Sequence, residues 1–361
     1  MGKYRVLVLI NTGMVYYGGL TTAVLNYYRN MDKTDLQIDF ASPCDTDEIV
    51  LNELSSNDSR YFRLPDRNFN ILKYYNALCG LCKYYDVVHV NGNSATMSIE
   101  LQAAKQAGVK RRIAHCHNSK TGHPIINKML TGVFKNSYTT AVACSDLAGE
   151  WLFGKGNYCI LPNAIDLKKY KKNDEVRERV RNDLQIRNSF VLGHVGKLNE
   201  GKNHKYIFNV FVELMKLNSN SKLMLVGDGP LNGELHKLAS ELGILEHVIF
   251  TGMVSNVHEY IQAMDSFVFP SFFEGLPLSV VEAQAAGKRC YISDRVTSQV
   301  AVTKESYLLS IDADPKLWAE HIYNDSKNAY DYASNEELLY ESEFNIYKEA
   351  YKLQQIYKGN M

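Results

Sequence analysis

Glu274 and Glu282 bracket the run Gly275-Leu276-Pro277-Leu278-Ser279-Val280-Val281. Carboxylates accept hydrogen bonds from vicinal hydroxyls, so such a pair suits a sugar or a ribose. Pro277 fits the first turn of a helix, and the backbone N–H groups near Gly275–Ser279 would point out of that helix's N-terminus as a prepared anion site. Two solvated helix glutamates are the plain alternative. It is weakened because residues 272–287 carry almost no other charge.

A second candidate is Gly196-Lys197-Leu198-Asn199-Glu200-Gly201-Lys202-Asn203-His204. Two lysines in a strand-to-helix loop can both reach a diphosphate. Gly227 and Gly229, in Gly227-Asp228-Gly229-Pro230, and Gly252 mark further strand ends where backbone can approach a nucleotide closely. Nearer the start, Gly18 and Gly19 precede a helix, predicted over 21–30. His115, His117 and Asn118 end another strand, with His89 and Asn91 ending its neighbour. A histidine so placed can orient a sugar hydroxyl or exchange a proton.

These residues need strands to carry them, and the chain supplies two series of short apolar runs alternating with helical patterns. The first series is predicted at 4–10, 36–41, 60–64, 86–90, 112–116, 140–144 and 158–161. The second is predicted at 190–195, 222–226, 247–250, 266–270, 289–293 and 307–311. Between them, Leu161-Pro162-Asn163-Ala164-Ile165-Asp166 and a charged stretch over 168–187 read as a linker leading into a surface helix. A helical stretch over 341–357 closes the sequence. The chain has 361 residues, enough for two domains, each a parallel α/β sheet with its own core.

Lys plus Arg and Asp plus Glu number 40 each, so no global field attracts nucleic acid, and anion binding must be local. No signal peptide, transmembrane run or myristoylation signal at Gly2 is read. Seven cysteines at irregular spacing suit a reducing, cytoplasmic compartment. Cys79 and Cys82 form a C-x-x-C without a second pair and read as helix packing rather than zinc ligation.

In order along most of the chain these motifs resemble retaining glycosyltransferases of the GT-B fold, in glycosyltransferase family 4. The Glu274/Glu282 pair is similar to that family's E-x7-E motif, and Gly18-Gly19 to its first-domain glycine loop. Residues 161–166 resemble its P-N-G-I-D segment, with Ala164 for glycine. Gly196-Lys197-Leu198 through Lys202 resembles its G-R-L…K loop, and Val226 through Pro230 its V-G-x-G-P turn. The likeness is nearest to bacterial enzymes of capsule, exopolysaccharide or O-antigen assembly, with Asn26-Tyr27-Tyr28-Arg29-Asn30 echoing their N-terminal pattern.

The resemblance implies two Rossmann-like α/β domains facing each other across a cleft. An acceptor domain would span 1–165 and a donor domain 166–340, with a helix over 341–361 returning to the first. It implies that Glu282 holds the ribose hydroxyls and Glu274 the donor sugar, and that Lys197 and Lys202 hold the diphosphate, aided by amides near Leu278 and Ser279. His117 becomes the active-site histidine, with His115 in reserve. Two positions depart from the pattern: Lys197 replaces an arginine, and Thr22 stands where relatives carry an acidic residue.

The expected activity moves a hexose from a nucleotide sugar, by default a UDP-sugar, to a saccharide or lipid-linked acceptor, with no metal or other cofactor. A basic and aromatic stretch over 60–85, with Lys110-Arg111-Arg112, would serve a peripheral contact at the inner face of the membrane. Rival readings are a nucleotide-sugar epimerase, a non-catalytic sugar-nucleotide-binding partner, and a dinucleotide oxidoreductase built on Gly227, Gly229 and Gly233. A metal-dependent transferase would use Asp45-Thr46-Asp47 or Asp312-Ala313-Asp314.

Overall fold

The computed structural model describes residues 3–16, 18–118, 122, 124–274 and 276–360. Two units emerge. One comprises 1–164 and 346–361, the other Ile165–Asn345.

The first unit carries seven strands: β1 Tyr4–Ile10, β2 Leu36–Ser42, β3 Tyr61–Arg63, β4 Val87–Gly92, β5 Arg111–Cys116, β6 Thr140–Ala143 and β7 Cys159–Ile160. All pairings are parallel, in the order β3-β2-β1-β4-β5-β6-β7. The second unit carries β8 Phe190–Val195, β9 Ser221–Val226, β10 Val248–Phe250, β11 Ser266–Phe269, β12 Arg289–Ser293 and β13 Ser306–Leu309. It repeats the scheme as β10-β9-β8-β11-β12-β13, again wholly parallel. In both sheets the strand order reverses once, between β1 and β4 and between β8 and β11. A ligand crevice forms beyond the strand C-termini at such a reversal.

Each sheet is covered on both faces, which is why its strands are continuous apolar runs. In the first unit, Leu7 and Leu9 face one core with Val88 and Val90, while Val6, Val8 and Ile10 face the other. Into that second core packs the helix Ile346–Lys358, through Ile346, Ala350, Leu353 and Tyr357. Those positions recur at helical spacing and form one stripe.

Two expected boundaries shift. The stretch over 341–357 is not one helix: Tyr332–Glu341 ends in the second unit, and a new helix starts at Ile346. Phe344 is wholly buried in the second unit's core, and its carbonyl accepts from Ile165 N at 3.0 Å, so the chain stays there through Asn345 rather than leaving at 340. The charged stretch over 168–187 is likewise more than a surface helix. Within Asp174–Asp183, Arg181 is buried and reaches Asp265 at 3.1 Å, with Arg177 on the same carboxylate.

Candidate active site

In the second unit, the loops leaving β8 and β11, the two strands at the reversal, are clipped together. Phe272 N donates to Gly201 O at 3.0 Å, and Asn203 Nδ2 donates to Pro270 O at 3.2 Å. Asn203 holds φ +56, the left-handed region its short polar side chain tolerates. Leu198 is buried and anchors the β8 loop, donating from its N–H to Asp228 O, while Lys197 beside it is exposed.

This clipping brings Lys202 to Glu274: Nζ lies 2.6 Å from Oε1, and 4.6 Å from the centroid of the Phe269 ring. A cation held over an aromatic face, with its stem packed, is a fixed charge rather than a mobile surface lysine. The Gly227 N–H donates to Gly252 O at 3.1 Å, which ties the β9 and β10 ends into the same layer. Two glycines here are dictated by space. Gly227 has φ +133, and a Cβ on it would sit 2.2 Å from Gly196 O; a Cβ on Gly229 would sit 2.4 Å from Leu198 O.

Pro277 caps the helix Leu278–Ala285 rather than occupying its first turn, and it has no side-chain acceptor to offer the first amides. Those of Leu278 and Ser279 are therefore left without a side-chain acceptor at the positive end of the helix dipole. Glu282, in the second turn, is 7% exposed and accepts from Tyr170 Oη at 2.8 Å. Burial raises its carboxyl above the usual range, and the Tyr170 hydroxyl opposes the shift. A buried carboxylate with one hydroxyl donor already in place has acceptor capacity left for another. Gly275 lies outside the described residues.

The expected first-unit cluster assembles on one sheet face. Strand side chains alternate, and Asn91 pairs in register with His115, so His89, Asn91, His115 and His117 project together. His117 Nε2 lies 2.8 Å from Asn91 Oδ1, and Nδ1 lies 3.3 Å from Asn163 Oδ1. A neutral ring has one N–H for these two oxygens. Asn91 is oriented by donation from its Nδ2 to Leu9 O, so its oxygen takes that proton, and the Asn163 amide then turns its Nδ2 toward the bare Nδ1. Behind His117, the His115 ring packs at 3.9 Å between centroids; His115 Nδ1 meets His89 Nε2 at 3.2 Å, and His89 Nδ1 meets Tyr357 Oη at 2.7 Å. A pocket of about 20 Å³ opens among these rings, room for one water.

Burial pushes His117 down to about 4 and His89 to about 3, and holds His115 well below the imidazole range. The unfolded chain takes up protons near pH 6.5 that the fold refuses, so this cluster's contribution to stability falls as pH drops from about 6.5 toward 4. Nitrogen-15 imidazole spectra should show His117 still neutral, with its proton on Nε2, at pH 5. Titration near 6.5, as for a solvated ring, would mean the cluster is open to water.

Gly18 caps the helix Gly19–Asn30 and donates to Val15 O at 2.8 Å; a side chain on Gly19 would meet nothing within 4 Å. Asn118 accepts from Cys116 Sγ through its carbonyl. Both Asp-x-Asp strings are engaged elsewhere. Asp47 accepts from Tyr16 N and Asp45 pairs with Arg63, while Asp314 accepts from Lys316 N and Asp312 pairs with Arg295. The Gly227/Gly229/Gly233 set follows the second strand of its sheet, not the first, where a dinucleotide fingerprint belongs. Much of the basic and aromatic stretch over 60–85 is spent internally: Arg60 grips Asp39, and Tyr74 and Tyr85 are buried. Arg112 donates to Ser137 O.

Comparison with known proteins decides the family. Over 84% of its length the chain is 34% identical to EpsF of Bacillus subtilis (strain 168), a protein named as a glycosyltransferase, and covers 84% of it. The model of the family described as glycosyl transferases group 1 matches residues 176–329. This chain is a group 1 glycosyltransferase. Another relative, 26% identical over 85% of this chain and 86% of its own, is the UDP-Gal:alpha-D-GlcNAc-diphosphoundecaprenol alpha-1,3-galactosyltransferase of Escherichia coli. The fold is shared with HepE (Alr3699) of Anabaena, solved in complex with UDP: TM-score 0.83, 16% identity, covering 98% of this chain and 100% of that one. The group 1 glycosyltransferase thus has the two parallel-sheet α/β domains of the GT-B fold.

Proposed function

We propose that this group 1 glycosyltransferase is a retaining enzyme of glycosyltransferase family 4. It moves a hexose from a UDP-sugar to a saccharide or lipid-linked saccharide during surface-polysaccharide assembly. The observation that carries the reading is the Lys202–Glu274 pair at the sheet reversal, beside an open helix N-terminus and the half-satisfied, buried Glu282. Lys202, Lys197 and the Leu278 and Ser279 amides take the diphosphate. Glu282 accepts from the ribose hydroxyls, and Glu274 is freed from Lys202 to accept from the donor sugar. His115, His117, Asn118 and the Gly18-Gly19 turn belong to the unit that receives the acceptor. The UDP-galactose and diphosphoundecaprenol in the Escherichia coli relative's name support this donor and acceptor class, as does the UDP bound to HepE. All seven cysteines are free thiols, which suits the cytoplasm, where we assign the chain.

In the transfer, the bond from the anomeric carbon to the β-phosphate oxygen breaks and the acceptor oxygen bonds to that carbon on the same face. The acceptor's proton passes to the departing phosphate oxygen. Among the described residues no carboxylate stands in the first-unit cluster to act as an inverting base. Lysines and amides carry the leaving charge, so no divalent cation is needed.

Proton NMR of the first-formed product from an α-linked donor should therefore show an α-linkage, and EDTA should leave the rate unchanged. A β-linked product would refute retention and leave both glutamates as binding residues. A rate abolished by EDTA and restored by manganese would refute metal independence.

A further inference from the structure

β8 and β11 separate at the sheet reversal. Each keeps pairing with its outer neighbour, β8 with β9 as far as Val195↔Val226 and β11 with β12 as far as Phe269↔Ile292. Their own pairing stops at Phe267↔Gly193. The next residue of β8 is His194, and its side chain takes over from the ladder: Nδ1 meets Val268 O at 2.9 Å. A carbonyl only accepts, so the proton sits on Nδ1 and Nε2 carries a bare lone pair. The ring thus spans the gap that opens below the two loops carrying Lys202 and Glu274.

Stacked rings carry this contact to Lys202. His194 lies 5.5 Å from Phe269 between centroids, and Phe269 is the ring that faces the Lys202 ammonium. His204, the first residue of the helix His204–Leu217, meets His194 edge-on at 5.1 Å. A side chain on Gly196 would come 3.1 Å from His194 Nε2 and 3.1 Å from Lys202 Cε, so ring nitrogen and lysine stem line the same slot. Both histidines are buried, and among the described residues nothing donates to His194 Nε2. Burial, reinforced by His204 and Lys202 and opposed by the Val268 carbonyl, holds His194 well below the imidazole range. The ring is therefore neutral and brings no second cation beside the lysine.

We propose that His194 is a positioning residue of the donor site. Its Nδ1–H bond to Val268 fixes the spacing of β8 and β11 beyond their last pair, and through Phe269 and the Gly196 slot it sets where the Lys202 ammonium stands. The proposal rests on the reading of Lys202 as a diphosphate ligand and adds the group that aims it. His194 acts through the lysine, so its loss should weaken binding only while the lysine is present.

UDP binding to the full-length protein is measured by titration calorimetry for wild type, His194→Phe, His194→Asn, Lys202→Ala and the double variant His194→Phe/Lys202→Ala. Phenylalanine keeps the ring stack without the N–H and should weaken UDP binding about tenfold, as a misaimed charge-assisted bond would. Asparagine can place an amide N–H where Nδ1 stood and should recover most of that loss. In the Lys202→Ala background, His194→Phe should change affinity by less than about twofold, because effects that pass through one shared contact do not add. A loss of equal size in both backgrounds would make His194 a residue of the fold alone and overturn the proposal. So would wild-type affinity in His194→Phe. Nitrogen-15 spectra of the wild type need no variant that folds: they should show the His194 ring neutral with its proton on Nδ1, and a proton on Nε2 would remove the bond to Val268 and the proposal with it. Wild type that fails to bind UDP would overturn the donor-site reading as well. Wild type that binds UDP and weakens with Lys202→Ala, but not with His194→Phe, would overturn this proposal alone.

Discussion

Replacing Lys202 by alanine should lower turnover about 10²- to 10³-fold, the cost of removing one preorganised donor at a site of developing charge. Charge accumulates on the β-phosphate as the sugar bond breaks, so the loss falls mainly on kcat and only slightly on KM. The geometry makes the lysine hard to replace. Its ammonium is fixed by Glu274 at 2.6 Å and lies over Phe269, and Gly196 leaves no side chain in the way of its stem. Folding should change little, because Glu274, 27% exposed in its side chain, can be solvated when the pair is lost. The exposed Lys197 should show a smaller loss on the same substitution, since nothing packs it in place. A Lys202→Ala enzyme with normal kcat would make Lys202 a surface cation and remove the centre of the proposed site.

Much of the framework is legible in the amino-acid order because it is local. Strands buried on both faces are runs such as Val6-Leu7-Val8-Leu9-Ile10, and all thirteen predicted stretches, half-buried edge strands among them, became strands with ends shifted by at most two residues. Glu274, the lysine loop and the histidine cluster stand at strand ends for the same reason: a parallel sheet places each loop after a strand on one edge.

Contacts between distant segments carry no such mark. Tyr170 meets Glu282 across 112 positions and Tyr357 meets His89 across 268, and nothing in the neighbourhood of either residue signals the partner. The histidine cluster could be suspected from spacing, but not that a C-terminal tyrosine closes its back. The break near 342 was hidden because residues on both sides of it are good helix formers. What separates the two helices is the burial of Phe344 in one core and Ile346 in the other. Pro277 could be read as the first helical residue or as the cap from sequence alone, since both positions tolerate a missing N–H.

Whether the second unit holds the diphosphate of a nucleotide-sugar donor can be tested with a nucleoside diphosphate alone, without knowledge of sugar or acceptor. The proposed site needs no rearrangement: two loops are clipped at Phe272 and Asn203, glycine backbones are layered at 227 and 252, and the helix end carries no side-chain cap. A ligand that binds only the folded form stabilises it by mass action. At one hundred times its dissociation constant, UDP should therefore add about 2.7 kcal/mol to the unfolding free energy. The decisive measurement is the unfolding transition with UDP, GDP, ADP and TDP in turn, for the wild type and for Lys202→Ala. UDP should raise the wild-type transition, and the variant should lose most of that rise. A wild-type transition unmoved by all four nucleotides would contradict the proposed donor site.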